Sequence, residues 1–314
     1  MIAKNDHSTE NTLSDEKALL SIGEVSELTG VNTVTLRAWQ RRYGLLKPQR
    51  TPKGHRMYTR QDVAVIENIL KWLDRGVPVG QVKALLNDET FTPKTSPNAE
   101  IAREADKLKK AVMDFDVLSV NRQLSELTRH YPISVLEKNL FGPLTDFFSE
   151  QKSDVIGLCL STWLTMLRHE LLRCFQLGQK SSSKRRCVLV STSLNDLHLF
   201  YGQALNYQAK GYAVTIIEGL DSNLFSLVKT IKSSNVTELF IFSEDALSAS
   251  MKRDIVIIVD TGAVSVSLLG KCRVIHSDLF TNLNTQHVDK AVRKDVTSDS
   301  SASTKEKSER EQFQ

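Results

Sequence analysis

Between Val31 and Gln61 the chain carries eight Lys and Arg residues and not one Asp or Glu. Such a run repels itself, so any fold built around it must hold it at a surface facing solvent or an anionic partner. The cations are Arg37, Arg41, Arg42, Lys47, Arg50, Lys53, Arg56 and Arg60. His55 stands beside them, and Trp39, Tyr43 and Tyr58 are interleaved. Duplex DNA, with its close-set phosphates, fits this composition best. The stretch Ser21 to Leu86 nets about +6 while the whole chain carries +4, so the remainder is near −2. DNA contact is therefore expected at one end only.

Local punctuation divides the basic run. Ser21-Ile22-Gly23-Glu24 reads as a capping box opening a short helix, with Ile22, Val25 and Leu28 on its buried face. Thr29-Gly30 breaks that helix, and Asn32 or Thr33 caps a second one running to about Tyr43, where Gly44 stops it. In the second helix Val34 and Ala38 are expected inward. Thr35, Arg37, Gln40, Arg41 and Arg42 share the other faces, and Trp39 reads as core or helix contact. Pro52 and Gly54 fold Arg50 to Tyr58 into a short hairpin, a wing. Thr59 to Asp62 caps a third helix with an apolar stripe of Val63, Ile66, Ile69, Leu70 and Leu73, and a fourth begins near Pro78.

Three strings in order, Ile22-Gly23-Glu24-Val25, Thr35-Leu36-Arg37-Ala38-Trp39-Gln40-Arg41-Arg42-Tyr43-Gly44-Leu45-Leu46 and Gly54-His55-Arg56-Met57-Tyr58, resemble the MerR family of transcriptional regulators, most of all its MlrA-type and CarH-type branch. The resemblance covers residues 20–87. It implies that Thr35, Arg37 and Arg41 lie in or beside the major groove of DNA. Arg42, Tyr43, Arg50, His55, Arg56 and Tyr58 would then grip the phosphate backbone. It further implies a homodimeric activator that distorts promoter DNA so that RNA polymerase can engage it, with biofilm matrix genes among the targets. A repressor of the CarH type, gated by cobalamin or another small ligand, is the alternative.

The remaining chain predicts two further domains, so the fold class is multi-domain: a winged helix-turn-helix, a four-helix bundle and a doubly wound parallel α/β sheet. Residues 99–179 are helical in period. Ile101, Ala105, Leu108 and Val112 form one stripe and Leu118, Leu124 and Leu127 another, and the last helix, Val155 to Leu177, is apolar on much of its circumference. Residues 185–287 alternate short apolar runs with helices, as in a flavodoxin-like, cobalamin-binding-like domain. Strands are expected at Cys187–Val190, Ala213–Ile217, Leu239–Phe242, Ile255–Val259 and Arg273–Ile275. Loops 191–198, 243–246 and 260–263 would form the ligand rim. Residues 1–19 read as a flexible N-terminus, 88–98 as a linker and 288–314 as a disordered tail.

Bundle followed by sheet resembles the cobalamin-binding module of CarH-type regulators, whose cobalt ligand is a His in a D-x-H-x-x-G loop. Asp196-Leu197-His198 supplies the Asp and the His. Tyr201 stands where the Gly belongs, Gly202 falls one place late, and Trp163 is followed by His169-Glu170 at a shortened spacing. His198 is thus the one candidate cobalt ligand, and the degraded motif around it predicts no cofactor. Cys159, Cys174, Cys187 and Cys272 form no C-x-x-C pair, which argues for buried thiols in a reducing cytoplasm rather than a zinc or disulfide framework. The first 18 residues show no secretory signal and no apolar run is long enough to span a bilayer. With no P-loop, nucleophile elbow or paired carboxylates in a glycine-rich setting, an enzyme is not expected.

Overall fold

The computed structural model describes residues 19–87, 99–151, 153–179, 185–231, 235–262 and 264–279. The linker at 88–98, the tail at 288–314 and all of the N-terminal segment but Leu19 lie outside them. The chain forms two compact units. One takes in the chain up to Arg185 together with Leu197–Val214, the other Arg186–Asp196 together with the chain from Thr215.

The first unit begins with β1 (Leu20–Ser21), α1 (Ile22–Thr29), α2 (Thr33–Ala38), β2 (Gln49–Arg50), β3 (Arg56–Tyr58), α3 (Arg60–Asp74) and α4 (Val79–Asn87). Two reciprocal caps start helices where the sequence asks for them. The Ser21 amide donates to Glu24 Oε2 (2.7 Å) while the Glu24 amide donates to Ser21 Oγ (3.3 Å), and Thr59 and Asp62 repeat the arrangement before α3. Asn32 caps α2 by accepting from the Val34 amide. Beyond Ala38 the helix widens into a π-turn over Trp39–Tyr43 and stops at Gly44, whose φ of 60° only glycine adopts freely. The strands form a small antiparallel sheet in the order β1-β3-β2, pairing Ser21 with Met57 and Arg50 with Arg56.

Two facings differ from expectation. Val34 is 39% exposed and Leu28 51% exposed, while Val25, Val31, Leu36 and Trp39 are buried. Leu36 lies about 200° round the helix from Val34. Leu36 and Trp39 together carry far more apolar surface than Val34 and Ala38, so they set which face turns inward.

The same unit continues through α5 (Ala99–Met113), α6 (Val117–His130), α7 (Ile133–Leu136, running on as a π-turn over Glu137–Phe141), α8 (Gly142–Glu150) and α9 (Asp154–Gly178). Val120, Leu124 and Leu127 bury the inner face of α6, whereas Leu118 is exposed, contrary to expectation. Trp163 is wholly buried on α9 and donates to Thr145 Oγ1 at 2.9 Å. The buried Glu170 accepts from Thr128 Oγ1 (2.5 Å), Ser125 Oγ (3.0 Å) and Arg173 Nε (2.8 Å). Its bonds to Arg173, Thr128 and Ser125 outweigh the cost of burial and hold its pKa below the ordinary carboxylate value. A sixth helix joins these, α10 (Leu197–Ala209), which the sequence pattern assigned to the sheet domain. Its buried face, Phe200, Tyr201, Ala204 and Leu205, is apolar enough to need a helical partner. Gln208 Nε2 anchors it to the Phe175 carbonyl of α9 at 2.9 Å.

The second unit contains β4 (Arg185–Ser191, from Arg186 on), the part of β5 (Tyr212–Ile217) from Thr215, α11 (Leu224–Ile231), β6 (Glu238–Phe242), α12 (Ala249–Thr261), β7 (Ser265–Leu269) and α13 (Cys272–Ile275). The strand order is β5-β4-β6-β7, with β4 parallel to β6 and β6 parallel to β7. Two expected strands are helices. Ile255–Val259 lies within α12, capped by Ser248 Oγ on the Met251 amide and ended by Gly262 at φ 59°. Met251, Ile255 and Ile258 are buried at helical spacing while Ile257 is exposed, so periodicity prevails over the β-propensity of the run. Arg273–Ile275 lies within α13, and the fourth strand is Ser265–Leu269. Loop 260–263 therefore leads into β7 rather than out of a strand. The rim position falls instead at Gly270 (φ 77°), where a side chain would strike the Ser243 carbonyl oxygen.

Candidate nucleic-acid interface

Helix α2 and the wing each present cations, and the fold brings the two sets together. Arg37 of α2 and Arg41 of the π-turn that continues it are exposed, as are Arg50, Lys53 and His55 of the wing and the flanking Lys47 and Arg60. Thr51 shapes the wing tip. Its amide donates to the His55 carbonyl (2.9 Å), its hydroxyl accepts from the His55 amide (3.1 Å), and Gly54 turns the chain at φ 82°. Arg56 is half-buried, with Nε donating to Gln40 Oε1 at 2.6 Å, which ties β3 to α2. Arg37, His55 and Arg56 consequently line a single cleft of about 410 Å³, floored by Ile22, Gly54 and Met57. Its inner surface is largely apolar, while Arg37, His55 and Arg56 border it and no carboxylate does, which favours an anion at its rim.

Two expected contact residues are enclosed rather than presented. Thr35 is 1% exposed, on the same inward face as Leu36 and Trp39. Tyr58 is fully buried, its hydroxyl has no hydrogen-bond partner among the described residues, and burial pushes its pKa up. Both follow from the helix phase, which turns Thr35 inward, and from the central place of β3 in its sheet.

Arg42 and Tyr43 have partners the sequence did not suggest. Arg42 Nη1 reaches His130 Nε2 at 2.5 Å and Glu126 Oε1 at 3.4 Å, and Tyr43 Oη lies 3.2 Å from His130 Nδ1. The Tyr43 and His130 rings meet edge-on with centroids 5.6 Å apart. One turn back, Trp39 Nε1 donates to the His130 carbonyl at 2.9 Å. Arg42 can only donate, so Nε2 accepts and the proton of neutral His130 sits on Nδ1, facing Tyr43. Burial, and the Arg42 guanidinium beside it, hold the His130 pKa below its ordinary value. These partners lie 84 to 91 residues away in sequence, and no local pattern announces them.

The model of the MerR HTH family regulatory protein matches residues 20–89. Residues 20–89 are a MerR-family helix-turn-helix domain. The chain is 42% identical to the HTH-type transcriptional regulator MlrA of Salmonella typhimurium over 127 residues, 40% of this chain and 51% of the relative. It is 46% identical to the HTH-type transcriptional repressor CarH of Myxococcus xanthus over 65 residues, 21% and 22% of the two chains. With the HTH-type transcriptional activator TipA of Streptomyces coelicolor it shares 27% over 137 residues, 43% and 52%. The chain thus spans about half the length of the MlrA relatives it matches. Among the described residues no helix is long and apolar enough to cross a membrane.

Outside the MerR domain, the residues expected around a corrin do not fit one. His198 is half-buried at the start of α10. Tyr201 is buried, its ring 5.7 Å from that of Phe200 and 6.4 Å from that of Phe175. Gly202 packs beneath the Glu137 carboxylate, which a Cβ there would displace. That glycine serves helix packing, and Trp163 serves the bundle core.

Proposed function

We propose that this chain is a sequence-specific transcriptional regulator whose MerR domain binds promoter DNA as a homodimer. The observation that carries the reading is the row of exposed cations on α2 and the wing, converging at the cleft of Arg37, His55 and Arg56. Arg37 and Arg41 are the candidate groove contacts, with Arg50, His55 and Arg56 on the backbone. Arg42 and Tyr43 join the backbone set once released from His130. Thr35 and Tyr58, expected contacts that are enclosed here, act by shaping the helix and the wing. The mode proposed is activation by distorting promoter DNA for RNA polymerase, in the cytoplasm and at genes such as those for biofilm matrix. MlrA is named a regulator, TipA an activator and CarH a repressor. The bundle and sheet domain are proposed to serve assembly and signal input, without enzymatic chemistry.

Duplex binding measured against salt tests this. If each subunit neutralises about four or five phosphates, log K falls against log salt with a slope of about −7 to −9 for the dimer. Loss of Arg37 and Arg56 together abolishes specific binding. A slope near zero, or binding indifferent to that double substitution, overturns the reading.

A further inference from the structure

A cavity of about 120 Å³ lies in the first unit between the MerR domain and the helices beyond it. Ser26 of α1 with Thr33 and Thr35 of α2 form one wall. Pro132, Leu205 and Asn206 belong to the other. Ser26 and Thr35 are 4% and 1% exposed, and neither side-chain hydroxyl makes a hydrogen bond among the described residues. Helical Ser and Thr ordinarily resolve this by donating to the carbonyl four residues back. Thr29 does so, to the Val25 carbonyl at 2.7 Å, and Ser26 and Thr35 do not. Asn206, half-buried, lines the same cavity. Neither oxygen of Ser26 and Thr35 is among the buried side-chain atoms that lack a partner, so both stay open to solvent within the cavity, and water, or something that displaces it, pairs them.

The lining also states what that something is. No Asp, Glu, Lys, Arg or His lines the cavity. The thiol of Cys174, which does, is pushed up to about 11 by burial and is neutral at physiological pH. A charged guest would enter with no counter-charge, whereas a neutral one with hydroxyl or amide groups meets two hydroxyls and a carboxamide. The volume is close to that of the ~150 Å³ cavity known to take benzene, which limits the guest to about four to six non-hydrogen atoms, or to that much of a longer molecule. We infer that this cavity is a binding site for a small uncharged polyol or carboxamide, held by Ser26, Thr35 and Asn206. Because two of these residues belong to the MerR domain, the guest is an effector of the regulator, and in that respect the inference rests on the function proposed above.

Saturation-transfer NMR on the full chain tests it, with glycerol and acetamide as probes and glycolate and ethanolammonium as charged probes of similar size. The expected result is saturable transfer to glycerol or acetamide and none to the charged pair. The affinity of the bound probe should fall at least ~10-fold in Thr35→Val, which keeps the shape and removes the hydroxyl. Asn206→Leu, distant from the MerR domain's core, must show the same loss, so a folding defect in one variant does not decide the matter. Saturable binding of neither neutral probe, equal binding of the charged pair, or unchanged affinity in either variant overturns the site. Duplex binding by the same preparation without probe is measured alongside. If it persists, the failure belongs to the cavity; if it is absent, the proposed function fails too.

Discussion

His130 and Glu137 titrate in opposite senses within one unit. His130 is kept neutral by burial and by the guanidinium that donates to its Nε2; the charged groups nearest it are Arg42, Glu126 and Arg129. Its folded pKa lies below the unfolded one, so below the ordinary histidine range the unfolded chain binds the extra proton, and stability falls as pH falls. Glu137, on the π-turn against Gly202, is pushed up from 4.5 to about 7 by burial alone. Between those values the folded chain holds the extra proton, and stability falls as pH rises. The two slopes oppose each other across an overlapping window. Denaturant unfolding between pH 4.5 and 7.5 should therefore show His130→Gln making stability fall more steeply with rising pH than in the parent, and Glu137→Gln the reverse. Parallel curves for all three chains would mean that neither group titrates on unfolding. Trp39→Phe isolates a different term at the same junction. It strips the His130 carbonyl of its donor and should cost ~1–3 kcal/mol by the same measurement, more than a phenylalanine's fit alone would explain.

On the proposed reading, helix and wing divide the work of the MerR domain. Arg41 is exposed on the π-turn that continues α2, where the proposed reading puts base edges, so Arg41→Ala should cost ~1–3 kcal/mol and relax sequence preference. Lys53 is exposed at the wing tip, where the proposed reading puts the DNA backbone. Lys53→Ala should weaken all duplexes alike and reduce the salt slope by about 1, as anisotropy titrations at several salt concentrations will show. These elements were legible in sequence because their signals are local: two capping boxes, glycines at the helix ends, and a hairpin marked by Pro52 and Gly54. The facing of α2 was not, because Val34 and Leu36 both satisfy an amphipathic pattern and only packing of Trp39 decides between them. Ile255–Val259 misled for a related reason. Five β-branched residues read as a strand, while the cap at Ser248 and the stop at Gly262, which frame a 13-residue helix, lie outside the run. The cleft of Arg37, His55 and Arg56 was foreseeable in its members. The partners of Arg42 were not, since nothing local links residue 42 to residue 130.

At the scale of the folded chain, Arg42 and Tyr43 have two claims on them. In this structure they serve α6 through His130 and Glu126. As backbone contacts they would serve DNA; Arg42 spends only Nη1 on His130 and Glu126 and its side chain is 59% exposed, so α6 sets the direction of the guanidinium while leaving its other donors open. If Arg42 and Tyr43 contact the DNA backbone as proposed, their hold on α6 would compete with that contact, and the observed affinity would be reduced by the fraction of molecules in which they are held. The exposed Arg42–Glu126 pair contributes little by itself, so the hydrogen bonds to His130 carry most of the docking at this point. Replacing both partners, Glu126→Ala with His130→Ala, should free Arg42 and Tyr43 without touching the basic face. The expected result is about tenfold tighter duplex binding, equivalent to ~1.4 kcal/mol, with the salt slope steepened by about 1 as Arg42 gains a phosphate. Affinity and slope both unchanged would show that α6 does not withhold these residues from DNA. Weaker binding would show that α6 instead holds α2 in its reading position.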